Sequence, residues 1–262
     1  MNEQEHNRRV WDAMVRQGQR FARPADDRDF DVSMDELDPR GWLGDVRGKT
    51  VLCLAAGGGR QGPIYAAAGA MVTVVDISAA QLELDREVAA ERKLDLRTVH
   101  TSMDDLQMFG AGQFDLVVQP VSTCYVADVR QTYLEVARVT KPNGIYVSQH
   151  KQPVSMQAGT EATSQGYEIT ESYYREGPLP PVQRSLHREE GTLEFLHRWE
   201  ALIGFMCRAG FAIEDLTEPL HAKKDAARSS FGHRSQFVPP YVRIKARRVG
   251  EAKQTRPSIL LE

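Results

Sequence analysis

Three consecutive glycines, Gly57, Gly58 and Gly59, and an aspartate, Asp76, lie within the stretch TVLCLAAGGGRQGPIYAAAGAMVTVVDIS at residues 50–78. Glycine lets a backbone approach a ligand with no side chain between them, and a carboxylate at the end of the next strand can accept hydrogen bonds from both hydroxyls of a ribose. The chemistry of that pairing is capture of a nucleotide cofactor. Gly57-Gly58-Gly59-Arg60-Gln61-Gly62 also satisfies the dinucleotide fingerprint G-x-G-x-x-G letter for letter. An NAD(P)-dependent oxidoreductase is therefore one reading of the turn.

The elements that must position these residues follow from hydrophobic period. From Thr50 onward, apolar β-branched runs alternate with segments of helical period, the pattern of a parallel sheet covered on both faces. Strands are expected at residues 50–55, 71–75, 96–100, 114–119 and 145–149, with helices after Ser78 to about Arg92 and at 129–139. Lys141-Pro142-Asn143-Gly144 reads as a turn before the fifth strand, because Pro and Gly end a helix and reverse the chain. Residues 151–190 lose the rhythm and read as an insertion over a site. Thr192 should then cap a helix carrying Leu193, Leu196, Ile203 and Cys207 and ending at Gly210. A sixth strand is expected at 211–216 and a last, edge-proximal one at 240–246, with Val242, Ile244 and Ala246 inward. The expected fold class is α/β: a Rossmann-like, doubly wound, mostly parallel seven-stranded sheet with an N-terminal helical cap and an insertion after strand five. The domain bounds are 1–45 for the cap, 46–248 for the main domain with its insertion, and 249–262 for a tail.

Four features in this order resemble the class I S-adenosylmethionine-dependent methyltransferases of small-molecule type: CLAAGGG at residues 53–59, Asp76 ending strand two, Phe114-Asp115 opening strand four, and VTKPNG at 139–144. The sequence departs from that family's pattern at Cys53, where an acid is usual, at Ala55, which replaces the first glycine, and at Ser102, where an Asp commonly meets the adenine amino group. The resemblance implies S-adenosyl-L-methionine as cofactor. It puts backbone groups of Ala55, Gly57 and Gly59 along the methionine part, Asp76 on the ribose, Ile77 and Met103 on the two faces of the adenine, Ser102 at its edge, and Gln119 beside the sulfonium. The departures keep a second alternative open, a catalytically inactive cofactor-binding protein of the same fold.

Methyl transfer from a sulfonium is an in-line displacement, so the protein must align the nucleophile, exclude water and remove a proton where the nucleophile carries one. No metal is needed, and none of the histidines shows metal-ligand spacing. Open α/β sheets hold ligands beyond the carboxyl ends of their strands, which puts Ser122, Thr123, Cys124 and Tyr125 after strand four, and His150 after strand five, beside a methyl acceptor. His150 is the candidate general base, because an imidazole titrates near neutral pH; a hydrogen-bonded structural histidine is the alternative. Tyr125 is the other catalytic candidate. Tyr173-Tyr174 reads either as an aromatic wall over the acceptor or as a fastener of the insertion. Trp11 and Phe21 read as docking the N-terminal piece to the sheet, and the acidic run at 26–38 as a solvated linker.

Pro239-Pro240-Tyr241 has the letters of the loop that clamps a flipped base in nucleic-acid amino-methyltransferases, but that loop must follow strand four, and this one precedes the last strand. The 262-residue chain carries a net charge of -3, so no whole-molecule positive field draws it to nucleic acid or an anionic membrane. A small-molecule acceptor of O, N or C type is the expected partner. Cys53, Cys124 and Cys207 are three scattered cysteines without a disulfide or metal pattern, and the charged N-terminus has no apolar core of signal type, so a cytoplasmic protein is expected. The sequence carries no signal for oligomeric state.

Overall fold

The computed structural model describes residues 2–19, 22–31, 38–183 and 185–250. Phe21, residues 32–37 of the acidic run and the tail from 251 lie outside the described residues. Seven strands, β1 (Thr50–Leu54), β2 (Met71–Asp76), β3 (Leu96–His100), β4 (Phe114–Gln119), β5 (Thr140–Lys151), β6 (Phe211–Thr217) and β7 (Tyr241–Arg248), form one sheet in the order β3-β2-β1-β4-β5-β7-β6. All neighbours are parallel except β7, which runs antiparallel between β5 and β6. The central β1 has Val51, Leu52, Cys53 and Leu54 fully buried, as an apolar run in a sheet covered on both faces must be.

Helices cover both faces. Leu52, Leu54, Val117 and Tyr146 pack beneath α4 (Val129–Val139) and the C-terminal half of α5, a helix whose wide first turn, Glu200–Gly204, continues as Phe205–Arg208. Val51, Cys53, Val74 and Val118 on the other face pack against Tyr65 and Ala66 of α2 (Gln61–Ala67), Leu82 of α3 (Ala79–Arg92), and Leu43 and Val46. Ser78 caps α3 by accepting the Gln81 N–H, and Lys93 closes it in the left-handed conformation. The N-terminal helix α1 (Glu3–Arg16) is capped by the Asn2 side chain and has Glu3 and Glu5 in its first turn. Among the described residues no helix is long and apolar enough to cross a membrane.

Three expectations are corrected. Residues 192–198 are not helical. Leu193 exchanges backbone hydrogen bonds with the Asn7 side chain, Phe195 N–H goes to Cys124 C=O at 2.7 Å, and Leu179 N–H goes to Glu194 C=O at 2.7 Å, so long-range partners take the groups that a helix would have used. Lys141-Pro142-Asn143-Gly144 does not precede β5 but bulges out of it. Phe114 pairs with Thr140 and Leu116 with Ile145, so these four residues lie opposite Asp115, with Asn143 at a left-handed φ of 63°. The acidic run is no free linker in its described part. Asp29 pairs with Arg60 at 2.8 Å, Asp27 pairs with Arg92, and Asp38 accepts the N–H groups of Trp42, Leu43 and Gly44.

Candidate active site

β1 delivers the chain into the glycine turn at Ala55, which adopts a left-handed φ of 49°. A Cβ on Gly57 would come within 2.7 Å of Gln81 Cβ and 3.1 Å of Asp76, so this position admits only glycine. Two carboxylates hold the turn from neighbouring elements. Asp76 Oδ2 accepts the Gly57 N–H at 2.9 Å, and Asp85 Oδ2, on α3, accepts the Gly58 N–H at 3.0 Å. Asp76 Oδ1 also takes the Ser78 N–H at 2.9 Å. A carboxylate has about four lone-pair sites, so Asp76 keeps capacity for a diol beyond these two bonds. Burial raises its carboxyl above the usual range, against the pull of the Ser78 and Gly57 bonds. Burial also pushes Asp85 up, to about 7, despite bonds from the glycine backbone.

Above the turn is a cavity of about 580 Å³, lined by Ala55, Gly57, Asp76, Ile77, Ser102 and Met103 and roofed by Gln4, Asn7 and Trp11 of α1. Its volume, the carboxylate at one side and the apolar Ile77 and Met103 suit a nucleoside. Gly59 faces elsewhere: a Cβ there would meet Leu84 C=O at 2.8 Å, so this glycine serves packing against α3. Gly62, the last glycine of the literal fingerprint, likewise lets α2 approach β2, since a Cβ would lie 2.4 Å from Val74 Cγ2. Gln119 is buried and fully engaged. It donates to Met103 Sδ at 3.3 Å and Ser122 Oγ at 2.8 Å and accepts from the Tyr146 hydroxyl, which fixes Met103 on the cavity wall.

A second cavity, of about 530 Å³, opens over the carboxyl ends of β4, β5 and β6 and the amino end of β7 and shares Trp11, Gln61, Pro120, Val121 and Tyr125 with the first. Gln119 borders this one. Trp42, Tyr65, Tyr241, Arg243 and Glu189 complete much of its wall. Tyr125 stands between the two cavities, edge-on to Trp11 with ring centroids 5.4 Å apart. Its hydroxyl donates to Glu189 Oε2 at 2.6 Å, and Lys151 Nζ reaches the same oxygen at 2.7 Å and Glu194 at 3.0 Å. Burial opposes the charge of Glu189, but Lys151 and the Tyr125 hydroxyl bond together hold that carboxyl below its usual range. Burial beside Glu189 keeps the Tyr125 phenol well above its ordinary value and therefore neutral.

His150 has no exposed surface, and both ring nitrogens are occupied, Nδ1 with Thr123 Oγ1 at 2.9 Å and Nε2 with Ser148 Oγ at 2.7 Å. Burial pushes its pKa down to about 3, so it stays neutral and ties β5 to the turn after β4. The structure gives it no open edge toward an acceptor, and the general-base role expected for it finds no geometric support. Tyr173 accepts the Trp199 N–H and packs among buried residues, while Tyr174 is 72% exposed, so the pair fastens the insertion and builds no wall. Trp11 does more than dock α1, since it lines both cavities. The sequence reading missed Asp85, Lys151, Glu189 and Arg243. Asp85 had a signal: it falls at helical spacing from the buried Leu82, Val88 and Ala89 and so belongs to the inward face of α3.

Residues 52–148 match the family model described as a methyltransferase domain. The uncharacterized methyltransferase YbaJ of Bacillus subtilis is 36% identical over 228 residues, which cover 81% of this chain and 89% of that protein. An S-adenosylmethionine-dependent methyltransferase structure from Mesorhizobium loti superimposes with a TM-score of 0.66 at 23% identity, covering 84% of this chain and 100% of that one. Geranyl diphosphate C-methyltransferase from Streptomyces coelicolor, solved with S-adenosyl-L-homocysteine, gives a TM-score of 0.60 at 18% identity over 95% and 99% of the two chains. The parallel sheet with its one antiparallel strand and the glycine turn facing an aspartate agree with these likenesses, and the chain belongs to the class I S-adenosylmethionine-dependent methyltransferase family.

Proposed function

We propose that this enzyme holds S-adenosyl-L-methionine in the first cavity and methylates an oxygen, nitrogen or carbon atom of a small molecule held in the second. The observation that carries this reading is the shared wall: two cavities of about 580 and 530 Å³ meet at Trp11, Pro120, Val121 and Tyr125. The cofactor supplies an electrophilic methyl group. Asp76 would hold its ribose, Ile77 and Met103 its base, with Ser102 at the edge, and the backbone at Ala55 and Gly57 its amino-acid end. Where the acceptor carries an O–H or N–H, Tyr125 would take that proton on its oxygen while its own passes to Glu189, a reading supported by the hydrogen bond between the two.

Calorimetric titration with S-adenosylhomocysteine and with NADH tests the cofactor assignment; binding of NADH alone would overturn it. Incubation with methyl-labelled cofactor and a fractionated small-molecule extract tests catalysis. Cofactor binding without label transfer to any fraction would favour an inactive binding protein.

A further inference from the structure

The charges on the wall of the second cavity are unevenly spent. Two carboxylates line it, and the protein's own donors occupy both. Asp38 accepts the N–H groups of Trp42 at 2.9 Å, Leu43 at 2.7 Å and Gly44 at 3.3 Å, and Glu189 accepts from Lys151 and Tyr125. Two guanidinium groups, Arg40 and Arg243, line the same cavity, and among the described residues neither has an ion pair. Arg243 belongs to β7, directly across from Gln149 of β5 and Thr217 of β6, and all three line the cavity. Its Nε donates to the neutral Gln149 Oε1 at 2.6 Å, which fixes the guanidinium plane without neutralising it. The next two basic residues on that face of β7 behave differently: Lys245 and Arg247 both pair with Glu214, at 3.1 Å in the lysine's case. Of these three, the one whose charge is uncompensated is the one that faces the cavity.

We infer that the methyl acceptor is an organic anion, with a carboxylate or phosphate group held by Arg243 and a flat or apolar body between Trp42, Tyr65 and Tyr241. A guanidinium presents a planar fork of donors that matches either oxyanion two-pronged. The aromatic side chains offer surface to the rest of the molecule and none of the charge. This inference rests on the methyl-transfer reading, since it takes the second cavity as the acceptor site.

The test is a ligand-observed NMR screen of protein saturated with S-adenosylhomocysteine. The probes are matched sets: aromatic carboxylates and aryl phosphates, each with its neutral amide, ester or phenol. The anionic members should dominate the binders, and Arg243→Gln should weaken them about tenfold or more, with Arg243→Lys in between. The melting temperature and S-adenosylhomocysteine affinity of each variant show that the fold is intact. Neutral members binding as tightly as the anions, anions binding Arg243→Gln undiminished, or no member binding to the loaded protein would each overturn the inference. Failure of S-adenosylhomocysteine itself to bind would instead overturn the methyl-transfer reading.

Discussion

The Tyr125 hydroxyl donates to Glu189 Oε2 at 2.6 Å, joining the turn after β4 to the insertion and placing an ionised carboxylate behind a neutral phenol. If that pair carries the acceptor's proton, Tyr125→Phe should lower kcat by about a hundredfold. S-adenosylhomocysteine affinity should stay within about twofold, because the ring and its contact with Trp11 remain. An unchanged kcat in steady-state assays would reduce Tyr125 to a strut.

Asp76→Ala should weaken S-adenosylhomocysteine binding by about 1.5 to 3 kcal/mol, the usual loss for hydrogen bonds to a charged group. The raised carboxyl adds a pH signature. Because burial lifts its pKa, protonation begins at a higher pH than for an ordinary aspartate, so affinity should already fall on mild acidification. Calorimetry across pH for wild type and variant checks both points, and an Asp76→Ala protein with native affinity would mean that the ribose lies elsewhere.

Asp85 gives stability an unusual slope. Its folded pKa of about 7 exceeds the unfolded value near 3.8, so the native state binds the extra proton between those values. The associated stability is present at the acid end and is lost as pH rises through 7. Asp85→Asn should therefore gain on wild type by about 1 to 3 kcal/mol between pH 5 and pH 8 in urea unfolding. A pH-independent difference between the two proteins would contradict the buried charge.

His150 has the opposite sign. Its folded pKa, pushed down to about 3 from 6.5, means that the unfolded chain takes up a proton first, so stability is intact above 6.5 and falls as pH drops toward 3. His150→Ala should lower the melting temperature and flatten that acid limb, since it removes the links to Thr123 and Ser148 along with the titration. A variant of normal stability whose kcat alone collapses would return His150 to the role of base.

Sequence pattern reached the sheet because each strand is a local run, and it reached the first cavity because the glycine turn and Asp76 are adjacent elements in the chain as well as in space. It could not divide the motif by purpose. Asp115 accepts from Thr50 N–H at 2.9 Å, Thr50 Oγ1 at 2.7 Å and Lys141 Nζ at 2.9 Å. Burial resists its ionisation, yet those bonds hold its carboxyl down at about 2. Phe114-Asp115 and Lys141 thus lock the amino end of the sheet, while Gln119 lies roughly 13 Å further along β4, beside the cavities. Two of the four features that gave the family away are scaffold. The second cavity was illegible for a different reason: Lys151, Glu189 and Arg243 come from three separate stretches, and only the completed fold makes them neighbours. The false helix after Thr192 has the same origin, because helical spacing says nothing of Asn7 waiting to take the Leu193 backbone.

That asparagine also bears on turnover. Asn7 bonds the Tyr125 and Leu193 carbonyls and the Leu193 N–H, His6 reaches Gly191 C=O at 2.8 Å, and Asp12 accepts from the Ser78 hydroxyl at 2.6 Å, so α1 is latched across the mouth of the first cavity at several points. Under the proposed cofactor assignment, opening of that latch becomes a step of product release, and loosening it by Asn7→Ala is expected to raise the off-rate of S-adenosylhomocysteine in a stopped-flow measurement.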